Sequence, residues 1–261
     1  MCINREELLT PMEIPNPRIS VCMATHNGER FIEAQLASIL AQLAPSDELI
    51  VSDDGSTDAT VAIVRSHADP RLRLLTGNCF SSPVLNFENA LTYASGDIIA
   101  LSDQDDVWLP NKVAVIRELF SSKPQPVYLT VLDAEVIDAS GNLLFPSLLG
   151  RLRRAGPGLL KNIVDNSYIG CSMAFSRQLL EIALPFPPRI PMHDMWLGLV
   201  AELFGATAFV PVKTMQYRKH EASMTDFPIR FMPWTQLKRR WFLSWALLQR
   251  WFAMRHRINR G

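Results

Sequence analysis

Apolar and polar positions along the first hundred residues switch between a strand-like and a helix-like period. Residues 18–24 form a short apolar, β-branched run, which predicts a buried strand. The run breaks at Thr25, His26, Asn27 and Gly28. Residues 29–43 then place Ile32, Leu36, Ile39, Leu40 and Leu43 at helical spacing. Residues 48–52 predict the next strand, ending in a polar stretch from Asp53 to Asp58 that turns and caps a helix over 59–66. Residues 71–75 read as a strand, 84–94 as a helix and 97–101 as a further buried strand, which ends in Ser102, Asp103, Gln104, Asp105 and Asp106. Such alternation predicts an α/β fold with a mostly parallel, doubly wound sheet. Ligands of such sheets sit at the carboxyl ends of strands. Here three of those ends carry Thr25/Asn27, Asp53/Asp54 and Asp103/Asp105, which implies one site.

The second half is less regular. Residues 128–136 and 172–175 look like strands, with a turn at Gly141–Asn142 between segments. Residues 193–204 are helical, with Trp196, Leu197, Val200 and Leu203 apolar, and 207–210 and 215–218 resemble two closing strands. Residues 1–17 hold three prolines without periodicity and read as a surface leader. The organisation expected is a leader (1–17), a main domain (18–226, with halves 18–115 and 116–226) and a tail (227–261).

The length of 261 residues and 48% hydrophobic content fit one large globular domain with a short appendage. Cys2, Cys22, Cys79 and Cys171 form no close pair, so neither a disulfide framework nor a zinc site is indicated, and a reducing compartment is the simpler expectation. No signal peptide and no apolar run of about 18 residues is visible. The balance of 26 basic and 26 acidic residues hides an asymmetry. Residues 227–261 hold eight Lys/Arg and no Asp/Glu, leaving 18 basic and 26 acidic residues in 1–226. Four of the six tryptophans also lie in that tail.

Several constellations can carry chemistry. Asp103 and Asp105, one residue apart on a turn after a buried strand, suit a hard divalent ion such as Mg²⁺ or Mn²⁺. A solvated turn is the plainer alternative. Asp53 and Asp54 either build an Asx turn and helix cap or hold a base or ribose. His193–Asp194 opens a helix, where Asp194 either complements the helix dipole or acts as a general base. His220, after Tyr217, Arg218 and Lys219, is either a surface histidine or a late metal ligand.

Three stretches, ISVCMATHNGERFIEAQLASILAQ, DELIVSDDGSTDAT and GDIIALSDQDDVWLPNKV, occur in this order and spacing. Together they resemble the family 2 glycosyltransferases of the GT-A fold, a Rossmann-like nucleotide-diphospho-sugar transferase architecture. LSDQDDVW with a later HDMW is most similar to the rhamnosyltransferase-type members. The resemblance covers about 18–115, and weaker likeness in NSYIGCSMAFSR, MHDMWLGLVAELFG and YRKH extends it to about 220. It implies a nucleotide-sugar donor (dTDP- or UDP-sugar), Mg²⁺ or Mn²⁺, and transfer with inversion at the anomeric carbon. It assigns Thr25, Asn27, Asp53, Asp54, Asp103 and Gln104 to the donor nucleotide, with Asp54 favoured for the base. Asp103, Asp105 and His220 go to the metal and Asp194 to catalysis. Gly170, Cys171, Trp108 and His193 go to the sugar and acceptor pocket. Departures from the family pattern are His26 for a frequent Tyr, Leu85 for a basic residue, His193 for a common Glu and no QxxRW segment, so one sugar per encounter is expected.

In the tail, a helical wheel places Trp234, Leu237, Trp241, Trp245, Leu248 and Phe252 in one stripe, with Arg239, Arg250 and Arg257 opposite. Leu243 and Leu247 interrupt the polar face. This basic amphipathic helix either packs its stripe on the main domain, lies in an anionic membrane surface, or binds nucleic acid, the weakest option beside so acidic a body. The expectation is a cytoplasmic, peripheral enzyme on the inner face of a bacterial plasma membrane. Its acceptor would be a polysaccharide or lipid-linked glycan precursor. The rivals are a nucleotidyltransferase and a non-catalytic nucleotide- or membrane-binding scaffold. The loop THNGER, with only Arg30 basic, argues against the first, and intact Asp54, Asp103, Asp105 and Asp194 argue against the second.

Overall fold

The computed structural model describes residues 17–122, 126–152, 154–220 and 233–258, with the side chains of the last stretch described over 240–255. The expected leader, except Pro17, lies outside these residues, as do the side chains of Trp234, Leu237, Arg239 and Arg257. In chain order the elements are β1 (Ile19–Thr25), α1 (Ile32–Leu40), β2 (Glu48–Asp53), α2 (Thr60–Ser66), β3 (Leu72–Leu75), α3 (Pro83–Thr92), β4 (Ile98–Asp103), β5 (Val107–Trp108) and α4 (Lys112–Ser121). They continue with β6 (Tyr128–Ile137), β7 (Leu143–Phe145), α5 (Leu159–Val164), β8 (Met173–Ser176), α6 (Arg177–Ala183), α7 (His193–Phe204), β9 (Ala206–Arg218) and α8 (Pro233–Ile258). One 3₁₀ turn spans Leu149–Arg151, and a second, Gly170–Ser172, leads into β8. No helix among the described residues is long and apolar enough to cross a membrane.

One sheet runs β3-β2-β1-β4-β8-β6-β9-β5, with β7 on β6. The first four strands are parallel, as the pattern predicts. Beyond them the sheet is mixed. β8 is antiparallel to both β4 and β6, β6 and β9 are parallel, and β5 closes antiparallel on β9. The central strands are buried on both faces. Ile19, Val21 and Met23 of β1 point into one core with α1, while Cys22 points into the other with α3, α6 and α7.

The two closing strands expected at 207–210 and 215–218 are one strand, β9. Its pairing with β6 jumps from Leu132↔Val210 to Asp133↔Lys213, leaving Pro211 and Val212 outside the ladder. Pro211 has no N–H to give the ladder, so the strand bulges there and resumes.

The tail helix forms, and it docks on the domain with an unexpected face. Leu243 and Leu247, read from the wheel as interruptions, are its buried residues and join the core of α6 and α7. The stripe of Trp241, Trp245, Leu248 and Phe252 faces outward.

Candidate active site

Strand register assembles the site. Thr25 pairs with Asp53, and Ala24 with Asp103, so the carboxyl ends of β2, β1 and β4 finish side by side, about 4.8 Å apart. Because β8 runs antiparallel to β4, its amino end, with Gly170 and Cys171 before it, lies beside Asp103. β9 then carries Arg218 and His220 back to the turn after β4.

The first loop is fixed by reciprocal hydrogen bonds. The Gln104 side chain accepts from the His26 N–H (2.9 Å) and donates to the His26 carbonyl (3.0 Å), as a neighbouring strand would. That contact requires Gly28, where a Cβ would lie 2.3 Å from Gln104 Oε1. Asn27 adopts φ 49°, a left-handed position Asn tolerates. Its Oδ1 accepts from the Thr57 N–H (2.8 Å). Asp53 is buried and accepts from the Thr25 hydroxyl (3.1 Å) and from the Ser56 N–H (3.0 Å) and hydroxyl (2.5 Å). Asp54 accepts backbone N–H groups from Phe80, Ser81 (3.2 Å) and Ser82 (3.1 Å), so it holds the loop before α3 against the first loop. Asn86 donates to the Thr25 carbonyl (3.1 Å), and its buried Oδ1 has no partner among the described residues.

Asp103, Asp105 and Asp106 crowd one turn. His220 Nε2 meets Asp105 Oδ2 at 2.6 Å, and Asp106 Oδ1 accepts from the Arg218 N–H at 2.9 Å. Burial and the Asp105 charge hold the Asp103 carboxyl well above the usual range, and burial does the same to Asp106. Positive charge reaches this cluster from Arg218, whose Nε donates to the Asp105 carbonyl (2.9 Å). Buried Lys112 supplies part of it from below, donating to the Cys171 carbonyl (2.7 Å) with its ammonium 4.4 Å from the Trp108 ring. Burial lowers the Lys112 pKa. Among the described residues, ligand atoms of Asp103, Asp106 and Cys171 lie within 4.8 Å of one another. Burial holds the Cys171 thiol protonated, so it is a poor metal ligand. The carboxylates, with Asp106 Oδ2 lacking a hydrogen-bond partner among the described residues, suit a hard divalent cation. The residues therefore fit Mg²⁺ or Mn²⁺.

Asp194 stands in the first turn of α7. Burial raises its pKa to about 6, against backbone hydrogen bonds from Met195 and Gly170. Its charge reaches Asp103, whose pKa it helps to raise. His193 is buried, stacked on Phe87 at 4.1 Å, and pushed down to about 3 by burial. Neither of its ring nitrogens has a hydrogen-bond partner among the described residues. A Cβ on Gly170 would lie 2.8 Å from His193 Nε2, so bare backbone passes close to the ring.

The structure thus brings Thr25, Asn27, Asp53, Asp54, Asp103, Gln104, Asp105, His220, Gly170, Cys171, His193 and Asp194 to one edge of the sheet. Trp108 lies deeper, in the core below α1, and borders a cavity of about 450 Å³ between α1 and α4. Sequence reasoning missed three supports. Buried Gln35 donates to Ser102 Oγ (2.8 Å) and the Asp103 carbonyl (3.0 Å), fixing the end of β4. A polar residue amid the apolar stripe of α1 was its signal. Asp106 stood unassigned in the quoted motif, and Lys112 looked like an ordinary helix-start lysine.

The parallel half of the sheet gathers at its carboxyl edge a locked polar loop, an acidic turn and a buried helix-start aspartate, the architecture of the GT-A fold. Residues 20–182 match the model of glycosyl transferase family 2, and the chain belongs to that family. It is 37% identical over 237 residues to the dTDP-rhamnosyl transferase RfbG of Shigella flexneri, covering 80% of this chain and 75% of that one. It is 26% identical over 225 residues to the UDP-Glc:alpha-D-GlcNAc-diphosphoundecaprenol beta-1,3-glucosyltransferase WfgD of Escherichia coli, covering 85% and 83%. The fold matches S. aureus TarS 1-349 in complex with UDP-GlcNAc at a TM-score of 0.65 and 17% identity, over 87% of this chain and 65% of that one. It also matches the mannosyltransferase PcManGT from Pyrobaculum calidifontis at 0.60 and 20% identity, over 84% and 63%. The chain therefore spans less than two thirds of these solved chains.

Proposed function

We propose that this protein is an inverting, metal-dependent glycosyltransferase that moves one sugar from a dTDP- or UDP-sugar to a hydroxyl of a lipid-linked glycan or polysaccharide precursor. The likeness to the Shigella protein favours rhamnose, and that to the Escherichia protein favours a diphosphoundecaprenol-linked acceptor. One observation carries the reading. Asp194, a carboxylate whose burial lifts it to about 6, shares its field with the acidic turn at Asp103.

In this mechanism Thr25, Asn27 and the Asp53–Asp54 turn shape the loop that receives the base and ribose. Asp103 and Asp106, whose carboxylates lie within 4.8 Å of each other, would hold the divalent ion, with the Asp105–His220 pair beside them. When bound, that ion neutralises charge on the departing diphosphate. Asp194 takes the proton from the acceptor hydroxyl as its oxygen bonds to the anomeric carbon. The bond from that carbon to the diphosphate oxygen breaks on the opposite face, releasing nucleoside diphosphate. A single displacement inverts the centre. His193 offers the sugar or acceptor one donor and one acceptor nitrogen in neutral form.

The test is incubation of the full chain with dTDP-rhamnose or UDP-sugars, Mn²⁺ and an undecaprenyl-type lipid-linked acceptor, followed by mass spectrometry. Asp194→Asn should lower transfer by about 10²–10⁴-fold while nucleotide binding, read by thermal shift, persists. Wild-type transfer by Asp194→Asn would refute the assignment of the base.

A further inference from the structure

A helix packed on a soluble domain ordinarily buries its apolar stripe and shows solvent its charged side. α8 does the reverse. Leu243 and Leu247 dock on the core, with Ala246 beside them. Arg250 lies on the docked side as well, its guanidinium donating to the carbonyls of Leu184 (2.8 Å) and Pro185 (2.6 Å). The opposite side shows Trp241 63%, Trp245 50% and Phe252 51% exposed, with Leu248 exposed between them. The Trp241 and Trp245 rings are parallel, 6.2 Å apart. The neighbouring α5, tied to α8 through Arg240 and the Val164 carbonyl, adds exposed Leu160 and Val164. The flanks are cationic. Arg189 stands 5.6 Å from the Phe242 ring and Arg255 4.5 Å from that of Trp251.

We infer that the outward face of α8 is an interfacial anchor for an anionic phospholipid bilayer. Tryptophan is the side chain suited to the headgroup boundary, where its apolar body is buried and its N–H stays wet. The charge favours the same partner: Arg250 is committed to the docked side, but residues 227–261 hold seven other Lys/Arg and no Asp/Glu, a positive field that matches a negative leaflet. A two-fold contact with a second copy would instead bring two such tails together. Helix α8 would lie along the surface, with the main domain on its other side. Lipid binding of this kind follows from α8 whatever sugar the site transfers.

The experiment is co-sedimentation of the full chain, without donor or acceptor, with vesicles of phosphatidylcholine alone or with one third phosphatidylglycerol. The expected result is binding at least tenfold stronger to the anionic vesicles. The variant Trp241→Ser/Trp245→Ser/Phe252→Ser should lose tenfold or more of it at unchanged melting temperature, since all three side chains are exposed. That variant should still transfer sugar to a water-soluble acceptor, which separates lipid binding from the transfer reading. Quenching of wild-type tryptophan emission by bromolipid in the same vesicles supports insertion without any variant, because Trp108 and Trp196 are buried. Equal binding of wild type and variant, or no binding to anionic vesicles, overturns the inference. So does a lipid-free dimer of the wild type that the variant loses, which would make a second copy the occupant of the stripe.

Discussion

The pH dependence of sugar transfer follows from the position of Asp194. Its carboxyl is raised from 3.8 to about 6, mainly by burial. A shift of two units is a preference of about 3 kcal/mol for the neutral acid. A general base must be ionised, and with that pKa about nine tenths of the enzyme is competent at pH 7 and about one tenth at pH 5. The assay is kcat with donor, acceptor and Mn²⁺ all saturating, so that protonation of the acidic turn, which reads out in donor and metal affinity, is suppressed. Expected is a roughly eightfold to tenfold fall from pH 7 to pH 5. Asp194→Asn should lower kcat by about 10²–10⁴ and lose that limb. A wild-type kcat that is flat across this range, or the same limb persisting in Asp194→Asn, would refute the reasoning.

The same group makes a stability statement of opposite direction. Because the folded-state pKa is raised, the native protein holds this proton more tightly than the unfolded chain between pH 3.8 and about 6. Stability therefore declines as pH rises through that window, and the full cost is present above it. Asn at this position carries no charge and can still accept from Met195 and Gly170. Asp194→Asn should thus be more stable than wild type by about 1–3 kcal/mol at pH 8, with the advantage gone below pH 4. An enzyme that gains stability as it loses turnover is the signature of a functional, not structural, carboxylate.

Three further outcomes are expected. Gly28→Ala puts a Cβ 2.3 Å from Gln104 Oε1 and unseats that amide from His26. Donor affinity should fall about tenfold for the loss of two hydrogen bonds, and calorimetric titration of Gln104→Ala should give the same loss, with no further loss in the double variant. Gly198→Ala drives a methyl to 2.3 Å from the buried Tyr168 ring, whose hydroxyl donates to Glu202 (2.8 Å). Overpacking of this kind should cost about 1–3 kcal/mol, and a denaturation midpoint equal to wild type would show that the ring has room to move. His193→Phe removes two buried nitrogens that have no partner among the described residues. It should leave stability unchanged or raised while KM for donor or acceptor rises, whereas an unchanged KM would make the histidine a packing residue.

How much of this was legible in the sequence depended on how each element earns its burial. β1, β2 and β4 lie inside the sheet with both faces covered, so they appear as continuous apolar runs between turn residues. The acids at their ends were legible for the same reason, because polar residues following such a run mark a strand's edge. β5 has two residues and exists through Trp108 pairing with Met215, a contact no local window contains. Pro211 split β9 in the reading, although the ladder with β6 carries across the bulge. The supports of the site share that property. Gln35, Asn86 and Lys112 acquire their meaning from the Asp103, Thr25 and Cys171 carbonyls they meet, and those meetings are set by the fold.

The tail shows where periodicity stops being informative. A wheel identifies an apolar stripe; it does not say which solvent or surface the stripe meets. What docks α8 is a match between its other side and the groove it enters. Leu243, Ala246 and Leu247 are compact enough to lie on α7, while Arg250 brings donors to the carbonyls of Leu184 and Pro185, just beyond the carboxyl end of α6. The last carbonyls of a helix lack intrahelical partners, and cations near that end are favoured. An arginine read from the sequence as solvent-facing is therefore part of the docking contact. The tryptophans are left over from that contact, and an exposed aromatic stripe bordered by arginines is a stable arrangement only where something other than bulk water covers it.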